Sequence, residues 1–187
     1  MFIVDDFEED RSFVIMPFIK GESLHLFLRR YPQLTLRYLK EMLRTPFEFH
    51  RRLALIMDYK AEHFIVDTEN TAYPVRFFDY VDTVILLNTG FDDSNYSGQE
   101  VSILIDIVDS ILRPLEDLMD VEDIAELNNR LKQLTKALSG LDAAEVERIY
   151  REVVFTFLDE LIAKYDSAFY LTAGMQSRAL RPVECSI

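Results

Sequence analysis

Between residues 93 and 98 the chain reads Asp-Ser-Asn-Tyr-Ser-Gly, with side-chain oxygens on Asp93, Asn95 and Ser97 and a glycine, Gly98, behind them. This is how the front half of an EF-hand calcium loop is written, with ligands at alternate positions and glycine at the sixth. Such a loop also needs a bidentate glutamate at its twelfth position. Counted from Asp93 that position is Leu104, which has no oxygen to offer. The same stretch fits a helix start, with Ser97 as the cap and Glu100 placed three residues on to reach back to it. An apolar stripe follows at Leu104, Ile107, Val108, Ile111, Leu112, Leu115, Leu118 and Met119. Loop plus cap accounts for every residue and calcium for half of them. The expected reading is a turn into a capped helix, with calcium at Asp93, Asn95 and Ser97 as the lesser alternative.

The other metal-ligating residue types are few. The histidines are His25, His50 and His63, and the one cysteine is Cys185. Glu22 and His25 have the Glu-x-x-His spacing of carboxylate-bridged metal sites, but those sites take a second such pair from another helix and none exists here. A surface pair is the expected reading. The chain has no His-Glu-x-x-His, paired-cysteine motif, glycine-rich phosphate loop or Gly-x-Ser-x-Gly, so zinc, nucleotide phosphates and an activated serine are not indicated. No catalytic residue and no cofactor is assigned.

Charge is distributed unevenly. The net charge is −13, yet residues 21 to 60 carry eight Lys or Arg against four acids, while residues 61 to 187 carry ten against twenty-four. In the basic segment Arg37, Lys40 and Arg44 recur at helical spacing, Arg51 and Arg52 follow, and Arg29 and Arg30 lie upstream. Two helices joined at Arg44-Thr45-Pro46 would have helix-turn-helix proportions, which makes nucleic-acid binding through Arg37, Lys40, Arg44, Arg51 and Arg52 an alternative reading. The overall acidity argues against it, because affinity for nucleic acid rests on neutralising phosphates. Between Glu100 and Glu126 there are nine acids and one base, Arg113. Asp106, Asp109, Glu116, Asp117 and Asp120 fall together opposite the apolar stripe, a row suited to docking a basic partner.

Elements are needed to hold these residues in place. Phe2 to Val4 and Phe13 to Met16 are β-prone runs around an acidic turn, which predicts a small N-terminal hairpin. Val-Asp-Asp-Phe at residues 4 to 7 resembles the acidic pair closing the first strand of response-regulator receivers, but no strand-helix alternation follows it. From Glu22 onward the periodicity is helical. Helices are expected over 22–31, over 34–43 with Leu36, Leu39 and Leu43 on one face, and from Pro46 to about His63, with Thr45 as cap and Glu48 reaching back. Another is expected within residues 75–90. The helix after Ser97 should kink near Ile111 to Arg113 because of Pro114, a full break being the alternative. Ile124, Leu127, Leu131, Leu134 and Leu138 mark a helix ending at Gly140. Asp142, with Glu145 three residues on, caps a last helix that makes an antiparallel hairpin with it. The centre of that helix, Val153 to Leu158, is apolar around most of its circumference and should be buried on several sides.

The fold class expected is therefore mainly α: a compact multi-helix bundle, a single domain over residues 1–170, with a loose tail over 171–187. Apolar runs too short to cross a bilayer, acids where a signal peptide carries bases, and the lone cysteine point to a cytoplasmic protein without a membrane partner. The function expected is non-catalytic contact with another protein bearing a basic surface, as an inhibitor, immunity, adaptor or assembly subunit, with a homodimer pairing basic and acidic faces as a variant. A metal-dependent enzyme with a carboxylate-rich site is the third class.

Overall fold

The two β-prone runs at the start of the chain do pair. β1 (Phe2–Asp6) runs antiparallel to β2 (Arg11–Ile15), with Val4 opposite Phe13. The protein is described here from a computed structural model, which covers residues 2–6, 11–15, 20–67, 69, 74–78, 83–86 and 93–165. The tail over 171–187, with Cys185, lies outside these residues. Among the described residues the architecture is mainly helical, five α-helices with a small three-stranded antiparallel sheet and two paired-strand ribbons.

β3 (Gly21–Ser23) leads directly into α1 (Leu24–Arg30), where the Ser23 hydroxyl accepts from the Leu26 amide at 3.4 Å. A side chain at Gly21 would place its Cβ 1.9 Å from the Val66 carbonyl oxygen, so only glycine permits this strand to lie against its neighbour. A 3-10 turn, Pro32–Leu34, then feeds α2 (Thr35–His50). Here the sequence expectation needs correction. The helices expected on either side of Thr45-Pro46 are one continuous helix with Pro46 inside it. Leu36, Leu39, Leu43 and Phe47 form one buried stripe across the proline. Burying each such side chain is worth about 1.5–3 kcal/mol, enough together to offset the roughly 3 kcal/mol of a proline in a helix interior.

That helix stops at His50 rather than running on to His63. Leu53 turns the chain with φ of 54°, and β4 (Ala54–Ile56) and β5 (Phe64–Asp67) follow. The helix expected within 75–90 is also corrected, because β6 (Val75–Phe77) and β7 (Thr83–Ile85) occupy that region. β5 lies between β3 and β6, while β4 pairs with β7, both antiparallel. Val66, Val75 and Phe77 are buried, as is β4 from Ala54 to Ile56. The β-branched residues of these runs outweigh their helical spacing once partner strands and the flank of α2 are there to cover them.

α3 (Asp93–Leu112) begins a turn earlier than the capping pattern predicts, so Ser97 and Glu100 lie inside the helix and are buried. It does not kink at Pro114 and continue. It ends at Leu112, and a 3-10 turn over Arg113–Leu115 changes the direction of the chain. α4 (Val121–Ser139) packs on α3 and closes at Gly140. Leu141 takes φ of 53° in the connection, and the Asp142 carboxylate accepts from the Glu145 amide at 2.9 Å to start α5 (Ala143–Arg148). The expected α4–α5 hairpin is present. α5 passes into a π-helical segment, Ile149–Phe155, and regains α-helical form over 156–165. Within the apolar centre Val154, Phe157 and Leu158 are buried. Among the described residues no helix is long and apolar enough to cross a membrane.

Candidate functional site

The acidic row does not lie on one rigid helix, because the break at Pro114 divides it. Asp106 and Asp109 remain on α3, Glu116 and Asp117 fall in the following turn, and Asp120 immediately precedes α4. Two of the five acids are engaged within the chain. Asp109 accepts from the Asn128 amide at 2.7 Å, and Asp120 pairs with Lys164 at 2.7 Å. Lys164 also holds Asp123 at 2.8 Å, and the Tyr165 hydroxyl donates to Asp123 at 2.6 Å while accepting from the Asp120 amide at 3.0 Å. Hydrogen bonds from Lys164 and then Tyr165 hold the Asp120 carboxyl below its ordinary range, and the same two aspartates raise the Lys164 ammonium.

Asp106, Glu116 and Asp117 are exposed, with no ion-pair partner among the described residues. Beside the last two stand apolar side chains that the fold leaves in solvent, Leu118 at 37% and Val121 at 72% exposure. Glu122 is exposed next to Val121. The corner between α3 and α4 is thus a patch of carboxylates around two aliphatic side chains.

The basic segment is neutralised close to home. Lys40 pairs with Asp159 at 2.6 Å, Arg44 with Glu41 at 2.9 Å, and Glu48 takes both Arg51 at 2.8 Å and Arg52 at 2.9 Å. Burial pushes the Glu48 carboxyl up, but the hydrogen bonds and charges of Arg51 and Arg52 outweigh it and leave it below the ordinary range. Arg37 is exposed on the same helix. With α2 continuous through Pro46, Arg51 and Arg52 stand at the C-terminal end of that helix and not early on a recognition helix. The helix-turn-helix geometry does not exist here.

The stretch of the calcium reading is helical, and Glu22 of the Glu-x-x-His pair is taken up by Arg30. Asp93, Asn95 and Ser97 are in the first turns of α3, not in a loop, and the Ser97 hydroxyl lies 2.7 Å from that of Ser139 on α4. Glu22 turns to Arg30, and His25 is half-buried. Among the described residues no group of three or more His, Cys, Asp or Glu side chains is placed to hold a metal ion.

A polar cluster that the sequence reading passed over sits in the core where α2, α3 and the π-helical segment meet. His50 Nε2 is 2.7 Å from Glu100 Oε1, and His50 Nδ1 is 2.9 Å from the Tyr150 hydroxyl. All three side chains have 0% exposure. Phe47 and Phe155 pack against the Tyr150 ring with centroids 5.2 and 5.7 Å away. Burial, then the neighbouring Glu100 carboxylate, push the Tyr150 hydroxyl well above the ordinary phenol value of 10.0. Carboxylate, imidazole and phenol in line can pass or hold protons, but with all three covered no substrate reaches them in this conformation. A signal for them exists in the sequence. Each continues the apolar stripe of its helix, His50 after Leu43 and Phe47, Glu100 before Leu104 and Val108, Tyr150 between Val146 and Val154. Comparison with known protein families, curated proteins and solved structures gave no match for this chain.

Proposed function

We propose that this protein works by contact with another protein, through the corner between α3 and α4. The partner surface has the complementary chemistry, Lys or Arg side chains around an apolar residue. The observation that carries this reading is the exposure of Leu118 and Val121 among Glu116, Asp117 and Glu122. Apolar side chains covered by a partner and rimmed by charge are the usual composition of an interface core and its rim. Acids already bound to Asn128 and Lys164 add little, so Asp106, Glu116 and Asp117 supply the charge, which steers encounter more than it adds affinity.

The test compares affinity capture from native cell extract by the wild-type chain, by Glu116→Lys/Asp117→Lys and by Val121→Asp. The reading expects a stoichiometric partner that elutes as salt rises, is lost with either variant, and is kept when Arg44 and Arg52 are changed to Ala. A partner retained by both corner variants at wild-type affinity contradicts it. Binding that disappears only with the arginine variants moves the contact to the basic end of α2.

A further inference from the structure

We infer that the protein meets a second copy of itself, the exposed side of α1 on one chain seating against the α3–α4 corner of the other. This rests on the corner being a contact surface and names what covers it. A surface complementary to the corner needs Lys or Arg side chains around an apolar residue, and this chain carries one. On α1, Leu24, Phe27 and Leu28 are buried along the inner side. Leu26, Arg29 and Arg30, three and four residues apart, are turned outward together and are all exposed. Leu26 is 50% exposed, and Tyr31, which follows the helix directly, is 41% exposed.

Tyr31 is held in place by the fold. Its amide donates to the Phe27 carbonyl at 3.0 Å, and its ring centroid lies 4.9 Å from that of Phe27, which packs in turn on Tyr38 at 4.7 Å. A tyrosine already ordered loses little freedom on binding. Tyrosine and arginine are also the side chains that most often carry the energy of an interface. Arg30 is joined to Glu22, yet 63% of its side chain is exposed, and a guanidinium has more donors than one carboxylate takes up.

The two surfaces match in kind and are opposite in sign. One sets Leu26 and Tyr31 beside two arginines, the other Leu118 and Val121 beside Glu116, Asp117 and Glu122. Among the described residues six large apolar side chains are exposed, and four of the six belong to these two surfaces. All four are exposed within one chain, so the surfaces do not cover each other in the monomer and the contact has to join two molecules. At the C-terminal end of α2, the other concentration of arginine, Glu41 and Glu48 on the same helix take up the charge. Because two different surfaces meet, copies related by a two-fold axis make the contact twice, and copies in any other relation extend it.

Sedimentation velocity over a series of chain concentrations tests this, in about 0.1 M and about 1 M salt, between which the screening length falls from about 10 Å to about 3 Å. The samples are the wild type, Glu116→Lys/Asp117→Lys, Leu26→Glu/Arg29→Glu, and an equimolar mixture of the two variants. The wild type is expected to associate at low salt and less at high salt. Each variant alone should lose the associated species. The mixture should regain it, because the unaltered α1 of one variant can meet the unaltered corner of the other. A wild type that stays monomeric at every concentration in low salt overturns the inference. So does a variant that associates like the wild type, or a mixture that stays monomeric. Circular dichroism checks that each variant folds, and Val121→Asp or Arg29→Glu replaces a corner or α1 variant that does not. A monomeric wild type that still captures a different protein, lost with Glu116→Lys/Asp117→Lys, ends the self-contact and leaves the corner as a contact surface. Capture and self-association both unaltered by that variant end both.

Discussion

Removing one member of the His50–Glu100–Tyr150 cluster strands the other two inside an apolar core, which makes single and combined substitutions differ in kind. His50→Leu leaves the Glu100 carboxyl and the Tyr150 hydroxyl without partners and is expected to cost about 3–5 kcal/mol. The triple variant His50→Leu/Glu100→Leu/Tyr150→Phe removes every stranded group and should cost less than the single change, since such clusters are strongly non-additive. Denaturant unfolding of the five proteins, wild type, His50→Leu, Glu100→Leu, Tyr150→Phe and the triple variant, reads this directly. Simple additivity of the losses would mean that the three side chains act independently. These residues were only half legible in the sequence. Ser97 and Glu100 fit a capping box, and that local pattern competes with their place on the stripe of α3. Nothing in one helix tells that a polar residue on its stripe will meet its complements on two others.

At the scale of elements, the residues with unambiguous stop and start chemistry were readable and those with mixed signals were not. Gly140 and Asp142 bracket the α4–α5 connection as expected. Pro46 carries the signature of a first helical position, yet the apolar stripe runs through it. The strands β4 to β7 are each three or four residues long, and so short a run has no period of its own to distinguish strand from helix. Gly98 tests the corrected start of α3. Its added Cβ would make ordinary contact with Thr135 at 3.8 Å. In a helix interior Gly98→Ala should stabilise the protein by about 0.5–1 kcal/mol. In a calcium loop, where the glycine makes the sharp turn, the same change would destabilise it. The thermal midpoint therefore separates the two.

Lys164 ties the start of α4 to the end of the last helix through Asp120 and Asp123. Because the Asp120 carboxyl is held below its ordinary value of 3.8 when folded, its stabilising contribution is present above that value and is lost as the pH falls through the folded one. Lys164→Ala should thus be less stable than the wild type at pH 7, with the difference closing in acid. A difference that persists undiminished at pH 2 would assign the effect to lost packing over the Tyr165 ring, 5.0 Å from the ammonium, instead of to charge.

For the whole molecule, charge was legible from the sequence as a total and as a gradient, but its effective surface was not. The chain's net charge of −13 suggests an acidic face, while the fold engages Asp109 with Asn128 and the exposed Asp120 with Lys164, and pairs Lys40, Arg44, Arg51 and Arg52 with carboxylates. Exposed at the α3–α4 corner and without an ion-pair partner among the described residues are Asp106, Glu116, Asp117 and Glu122, beside Leu118 and Val121. The break at Pro114 creates that corner, and a helix continuing through the proline would have carried Leu118 along the apolar stripe toward the core. We propose this corner as the contact surface. The decisive measurement is hydrogen–deuterium exchange of the chain alone and saturated with its captured partner. Slowed exchange concentrated over residues 106–126, and over 26–31 when that partner is a second copy, with the rest of the molecule unchanged, is expected. Protection confined to α2, or no protection at the corner at all, would contradict it.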